Sequence, residues 1–366
     1  MRHVIVRSLL LIAALLLAAC GNTQGGAQPS AESSAAPSSA ASPVAQASSP
    51  PTPTTGPTPI PTPGPNEFAN PILDQDFPDP DTLKVGDTYY AYATNTGGTN
   101  VQTATSTDLA HWQVVGEALP ALPGWASGGF TWAPEVTTTA DGKGYVMYFT
   151  ARVAETTRQC IGVATSDKPE GPFQSTADKP FICPMEEGGA IDAGSFVDDD
   201  GTRYLLWKND GNCCGSSTRI YLQKVSADGL TLESEPTKLI ENDQPWEGIV
   251  VEAPTLWKHA GKYHLFYSAN NYAGIDYTVG HAVADQILGP YTKPEKNPVL
   301  RSDLNNAAAL GPGGQDIVLD KDGEAWMIYH SWDPTVTYRR MMIDELVWEG
   351  DTPVVKGPDN VPQALP

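Results

Sequence analysis

Residues Gly248–Tyr267 read GIVVEAPTLWKHAGKYHLFY. A strand starting near Val251, a turn at Ala260-Gly261 and an aromatic-rich strand Tyr263–Tyr267 spell a β-hairpin. Two β-prone runs around a tight glycine turn favour that motif. Glu252 stands out as an acid at the start of the first strand, among apolar neighbours. The unit recurs as DPDTLKVGDTYYAYAT from Asp79, WAPEVTTTADGKGYVMYFT from Trp132, IDAGSFVDDDGTRYLLW from Ile191 and GQDIVLDKDGEAWMIYH from Gly314. Its turn glycines, Gly86, Gly142, Gly201, Gly261 and Gly323, are 56, 59, 60 and 62 residues apart by subtraction. Ser106, Ser166 and Ser226, in ATSTD, ATSDK and KVSAD, keep a step of 60 residues. Self-similarity with several strands per period predicts an all-β chain, a five-bladed β-propeller.

In a propeller the first strand of each blade lines the channel, so matching positions converge on the axis. Asp79 lies 7 residues before its turn glycine, and Asp192 and Glu252 each lie 9 before theirs. Single acids usually face solvent. Three at matching places among apolar residues point instead to one central pocket.

The chain has 366 residues, a formal net charge of −21 and a pI near 4.5. Such acidity disfavours nucleic acid and anionic lipid surfaces and suits a neutral partner such as a sugar. The expected organisation is a signal peptide over 1–19, a lipidated Cys20 with a flexible linker over 20–66, the propeller over 67–356 and a tail over 357–366. Arg2 and Arg7, the apolar run Leu9–Leu17 and then Leu17-Ala18-Ala19-Cys20 resemble a bacterial lipoprotein signal. The apolar run is too short for a spanning helix. Gly21–Pro65 is rich in Ser, Ala, Pro, Thr and Gly, with Glu32 its only charged residue, and it reads as a tether without a core of its own. Together these features place the protein on the outer side of a bacterial membrane, lipid-anchored and monomeric.

Four further cysteines, Cys160, Cys183, Cys213 and Cys214, suit disulfides in an exported domain. Cys160–Cys183 is the first pairing expected. A Cys213–Cys214 bridge would be strained, since adjacent Cα atoms lie only about 3.8 Å apart. No histidine spacing supports zinc at these cysteines, and Asp198-Asp199-Asp200-Gly201 reads as turn chemistry rather than a calcium loop.

A neutral substrate, an axial channel and convergent carboxylates suggest glycoside hydrolysis, which needs one carboxylic acid and one carboxylate. At these residues the chain resembles glycoside hydrolase family 43: PDPD around Asp79, WAPEV around Trp132, IDAGSFVDDDG around Asp192 and VEAP around Glu252. The resemblance runs from about Asn70 to Pro353 and implies a five-bladed propeller acting on arabinose- or xylose-containing plant glycans with inversion. It implies Asp79 as general base, Glu252 as general acid and Asp192 as the residue that orients the acid and raises its pKa. Trp132 and Phe130 would wall the sugar, and Arg339 resembles a family arginine near the pocket. Glu135, Trp246, Gln315 and His330 would also contribute, His330 equally reading as a packed core residue. Glu247 is the alternative acid. Many relatives carry Gly-His early in blade five, the histidine helping to hold an axial metal. Here GPGGQDIV puts Gln315 in that place, so no cofactor is required and an axial calcium lacks its imidazole. Arabinofuranose is expected in preference to xylose. A non-catalytic glycan-binding propeller and a two-lobed solute-binding lipoprotein are the readings from other classes.

Overall fold

The computed structural model describes residues 62–366; the expected signal segment, Cys20 and most of the linker lie outside the described residues. Among the described residues, five antiparallel sheets of three or four strands follow one another in chain order. A two-stranded ribbon joins β1 (Glu67–Phe68) to β20 (Gln363–Ala364). Blade one holds β2 (Asp81–Val85), β3 (Thr88–Ala93), β4 (Gln102–Ser106) and β5 (Gln113–Glu117). Blade two holds β6 (Ala126–Thr138), β7 (Tyr145–Val153) and β8 (Gln159–Ser166). Blade three holds β9 (Ala190–Val197), β10 (Arg203–Asn209), β11 (Arg219–Val225) and β12 (Thr237–Glu241). Blade four holds β13 (Val251–His259), β14 (Lys262–Ala269) and β15 (Thr278–Ala284). Blade five holds β16 (Gly313–Leu319), β17 (Ala325–Trp332), β18 (Arg339–Glu349) and β19 (Thr352–Val355). The first strands of neighbouring blades touch in cyclic order, and β16 closes the ring against β2.

Each sheet is apolar on both faces because a blade is sandwiched between two others. The core accordingly divides into five clusters, one in each gap between blades. Between blades one and two Tyr92 meets Val136 and Met147; between four and five Phe266 meets Ile317 and Met327. Tyr92, Tyr148, Tyr267 and Tyr329, all on second strands, are fully buried. The repeated turn glycines all have positive φ with open space around a notional Cβ, so backbone conformation rather than crowding requires them.

The ring is tied by its ends. Ile72 N–H donates to Met341 O, and Asn70 exchanges side-chain hydrogen bonds with the backbone of Ile343, so Asn70–Leu73 runs beside β18. The segment 357–366, read from the sequence as a tail, supplies β20 for that closure, and Lys321 Nζ donates to Pro366 O at 2.8 Å. Thr352–Val355 is the outer strand of blade five.

One local device recurs at the axis. In blades two to five, two residues at the start of the first strand oppose a single residue of the second, a β-bulge whose first residue has positive φ: Ala133 (38°), Asp192 (55°), Ala253 (49°) and Gly314 (56°); in blade one Asp79, just ahead of β2, has the same positive φ (53°). The bulge turns these residues out of the ladder and toward the channel. Asp192 holds its first position and Asp79 the matching place in blade one, whereas Glu252 precedes it by one residue. The three acids are therefore not equivalent in the repeat as the turn-glycine count implied. The count slipped because β9 and β10 are joined by a longer loop, Asp198–Thr202, than the Ala260-Gly261 turn between β13 and β14.

Candidate active site

Asp79, Asp192 and Glu252 line one cavity of about 370 Å³ at the channel mouth, with Trp132, Arg152, Tyr272, Tyr277 and Arg339. Each carboxylate is held differently. Asp79 Oδ2 accepts from Thr94 Oγ1 at 2.6 Å, and Arg339 Nη1 lies 3.2 and 3.5 Å from its two oxygens. His330 Nδ1 lies 3.1 Å from Asp79 Oδ1 and 3.1 Å from the Asp79 backbone nitrogen. Burial alone would push this carboxyl upward; Arg339, His330 and Thr94 outweigh it and hold Asp79 well below the usual carboxylate range. His330 is itself buried, which together with the Arg339 charge lowers its pKa and keeps the ring neutral. It lies behind Asp79 rather than on the cavity wall.

Asp192 Oδ2 accepts from Ala253 N–H at 2.9 Å, so the acid of blade three is tied to the residue after Glu252. Burial, then the charge of Glu252, pushes Asp192 up to about 8. Glu252 Oε1 accepts from Tyr277 O–H at 2.9 Å and Oε2 from Lys208 Nζ at 3.1 Å. Tyr277 stacks on His330 at 5.7 Å and 7°. A continuous set of contacts thus links Glu252 to Asp79 behind the cavity. Lys208 and Tyr277 were not anticipated from the sequence. Lys208 leaves a signal, a charge directly after the apolar run Tyr204–Trp207 of the strand RYLLWKN, of the same kind that marked Glu252. Tyr277 leaves none, since it precedes a strand in a loop.

The other expected site residues divide. Trp132 and Arg339 line the cavity. Phe130 backs it, its ring 3.3 Å from the Arg152 guanidinium carbon. Trp246 packs against Tyr267 inside blade four and does not line the cavity. Glu247 is fully buried; it accepts from Tyr267 O–H and from the backbone N–H groups of Asp243 and Gln244, and it pairs with Lys293. Both of its oxygens are engaged by these partners, and it does not line the cavity that holds Glu252. Glu135 faces a smaller cavity of about 40 Å³ on the axis with Asp81 and Asp316. Burial, then the Asp316 charge, raises Glu135 to about 7. Gln315 lines that lower cavity too; its Oε1 accepts from Ser268 Oγ and its Nε2 donates to Ala253 O. Both ends of the amide of this residue, which stands in the expected metal-histidine place, are hydrogen-bonded within the protein. Among the described residues, no group of three or more His, Cys, Asp or Glu side chains is arranged to hold a metal.

Cys160 is joined to Cys183, and Cys213 to Cys214. The second bridge closes the 3-10 turn Gly211–Cys214, whose Asn212 and Cys213 reach the cavity wall.

Residues 68–353 match the family model described as Glycosyl hydrolases family 43. The chain belongs to glycosyl hydrolase family 43. Among solved structures it is similar to a thermostable family-43 glycoside hydrolase, at 33% identity and a TM-score of 0.74, covering 82% of this chain and 99% of that one. It is also similar to a structure titled endo-1,4-beta-xylanase from Bacteroides thetaiotaomicron, at 31% identity and a TM-score of 0.68, covering 80% and 99%. An extracellular endo-alpha-(1->5)-L-arabinanase of Thermotoga petrophila is 30% identical over 59% of this chain and 50% of its own length. A beta-D-galactofuranosidase of Aspergillus niger is 25% identical over 72% and 76%. Apart from the Aspergillus protein, the chain spans about half the length of the curated relatives it matches.

Proposed function

We propose that the chain is an inverting glycoside hydrolase that releases pentose, α-L-arabinofuranose in preference to xylose, from plant cell-wall polysaccharides or oligosaccharides. Asp79 accepts a proton from water as it attacks the anomeric carbon. Glu252 donates a proton to the leaving oxygen, and Asp192 orients Glu252 and keeps a proton on that side of the cavity. The observation that carries this reading is one cavity with an ionised base facing a retained proton: Arg339 keeps Asp79 ionised, while burial keeps one proton on the Asp192–Glu252 pair, in which Asp192 Oδ2 accepts from the N–H that follows Glu252. A base and an acid held apart in protonation state are what the inverting reaction requires. Similarity to the Thermotoga arabinanase supports arabinan-type substrates. Similarity to the Bacteroides xylanase and to several xylosidases supports β-xyloside cleavage as the second reading. A non-catalytic glycan-binding propeller is disfavoured because all three carboxylates share the cavity.

The test is the anomer first formed from arabinofuranosyl and xylosyl oligosaccharides, followed by proton NMR. The inverted anomer is expected; the retained anomer would overturn the roles of Asp79 and Glu252. Binding without turnover on the whole panel would favour the lectin-like alternative. In the same reading Cys20 is lipidated, residues 20–66 tether the catalytic propeller at 67–356 to the outer face of a bacterial membrane, and the enzyme works as a monomer without a required cofactor. The Leu17-Ala18-Ala19-Cys20 pattern supports the anchor. Labelled fatty acid should enter the wild type and not Cys20→Ser.

A further inference from the structure

Lys208 is fully buried on β10, whose neighbours Leu205, Leu206 and Trp207 are core residues. Taking an ammonium out of water is costly unless close acceptors compensate. Its Nζ lies 3.1 Å from Glu252 Oε2, 2.6 Å from Asn212 Oδ1 and 3.7 Å from Asp210 Oδ1. Burial opposes the charge, but the surrounding carboxyl groups, Glu252 first, outweigh it and raise the Lys208 pKa, so the group is a cation. Asn212 is an exposed residue of the turn Gly211–Cys214. That turn is closed by the Cys213–Cys214 bridge and by Ser216 N–H donating to Gly211 O, and Asn209 Nδ2 fastens its far side to Ser217 O.

We propose that Lys208 is a positioning residue for Glu252, seated by Asn212 on the disulfide-closed turn. The proposal rests on the general-acid reading of Glu252. When Glu252 protonates the leaving oxygen, its O–H bond breaks, the electron pair stays on Glu252 and a carboxylate forms. A donor already aimed at Oε2 then interacts more strongly than it did with the neutral acid. An interaction that grows along the reaction lowers the barrier, whereas one of constant strength would not. Lys208 also fixes which oxygen carries the proton: with Oε2 held by the ammonium, Oε1 is left beside Tyr277 on the cavity side. The disulfide-closed turn supplies a short and stiff support for Asn212, and so for the ammonium, from the cavity rim.

The effect must depend on how much protonation the leaving group needs. Lys208→Met is expected to lower kcat on an unactivated pentose oligosaccharide by about ten- to hundredfold, the range of a charge-assisted hydrogen bond. On a dinitrophenyl pentoside, whose leaving group departs without a proton, the same variant should stay within about threefold of wild type. Asn212→Ala and the Cys213→Ser, Cys214→Ser pair should shift the two substrates apart in the same sense by a smaller factor. Glu252→Gln is the control for the underlying reading and should show the largest split. No split in Glu252→Gln would remove the general-acid role itself. A split in Glu252→Gln, with Lys208→Met and Asn212→Ala lowering both substrates equally or neither, would overturn the positioning role alone. If Lys208→Met does not fold, Asn212→Ala decides, because its side chain lies on an exposed turn.

Discussion

Replacing Arg339 by Gln isolates the charge that keeps the proposed base ionised. Arg339 Nη1 stands 3.2 and 3.5 Å from the Asp79 oxygens, and burial presses the other way. At 3.2 Å and an effective dielectric near 20 the bare attraction would be about 5 kcal/mol, an upper bound. Charge-assisted hydrogen bonds in proteins contribute about 1.5–3 kcal/mol net, and that range sets the expected scale. At about 1.4 kcal/mol per pKa unit, the Asp79 pKa should rise by roughly one to two units. His330 and Thr94 remain in place and still favour the carboxylate, so the rise should stop within the ordinary acid range. The assay is log kcat/KM against pH for wild type and Arg339→Gln at constant ionic strength, with unfolding followed at each pH. The acid limb, governed by Asp79, should move up by one to two pH units, while the alkaline limb stays. The sign for stability follows from the same shift. A carboxyl whose folded pKa is depressed stabilises the fold above its unfolded value and loses that contribution as pH falls toward the folded value. The variant should therefore lose more Tm at pH 7 than at pH 3. A lower rate with an unmoved acid limb would refute the assignment of Arg339 as the charge that tunes Asp79.

Two further outcomes are expected. Asp192→Asn removes a proton held up to about pH 8, so the alkaline limb of kcat should move to lower pH and the acid limb should not; an unchanged alkaline limb would separate Asp192 from the acid. Away from the site, His264 Nδ1 and His281 Nε2 lie 2.9 Å apart, and burial pushes the two rings down to about 4 and about 3. Unfolded histidine takes its proton near pH 6.5, so these rings favour the unfolded state as pH falls below about 6.5, by up to about 1.4 kcal/mol per ring and pH unit. Urea titrations at pH 7 and pH 5 should show a smaller acid loss for His281→Gln than for wild type. Equal losses would show that the pair does not control acid stability.

Much of the architecture is legible in the sequence. Gly86, Gly142, Gly201, Gly261 and Gly323 mark the five hairpins, and Ser106, Ser166 and Ser226 mark the ends of third strands or the turns just after them, where each side-chain oxygen accepts from a turn N–H. Asp79, Asp192, Glu252, Trp132 and Arg339 were named in advance and line one cavity. Trp246 and Glu247, expected at the pocket and as the alternative acid, lie away from the cavity, packed and hydrogen-bonded within blade four. The Gly248–Val250 connection separates them from the axis, and Glu247 is spent on its own turn.

The chain's order of residues was sufficient for what depends on local rules: alternation along strands, turn chemistry and the repeat length that makes five like sheets. What only the tertiary structure decided is which distant groups surround each acid. Lys208 reaches Glu252 across 44 residues and from the next blade, and His330 meets Asp79 across 251. Such pairs leave no spacing in the sequence, because the ring closes through the inter-blade clusters and the bulges aim each side chain only once that ring exists. The same dependence explains why the one-residue offset of Glu252 was invisible to counting from the turn glycines. Loop length between the strands of a hairpin is free to vary, while the bulge position is pinned by its neighbours around the axis.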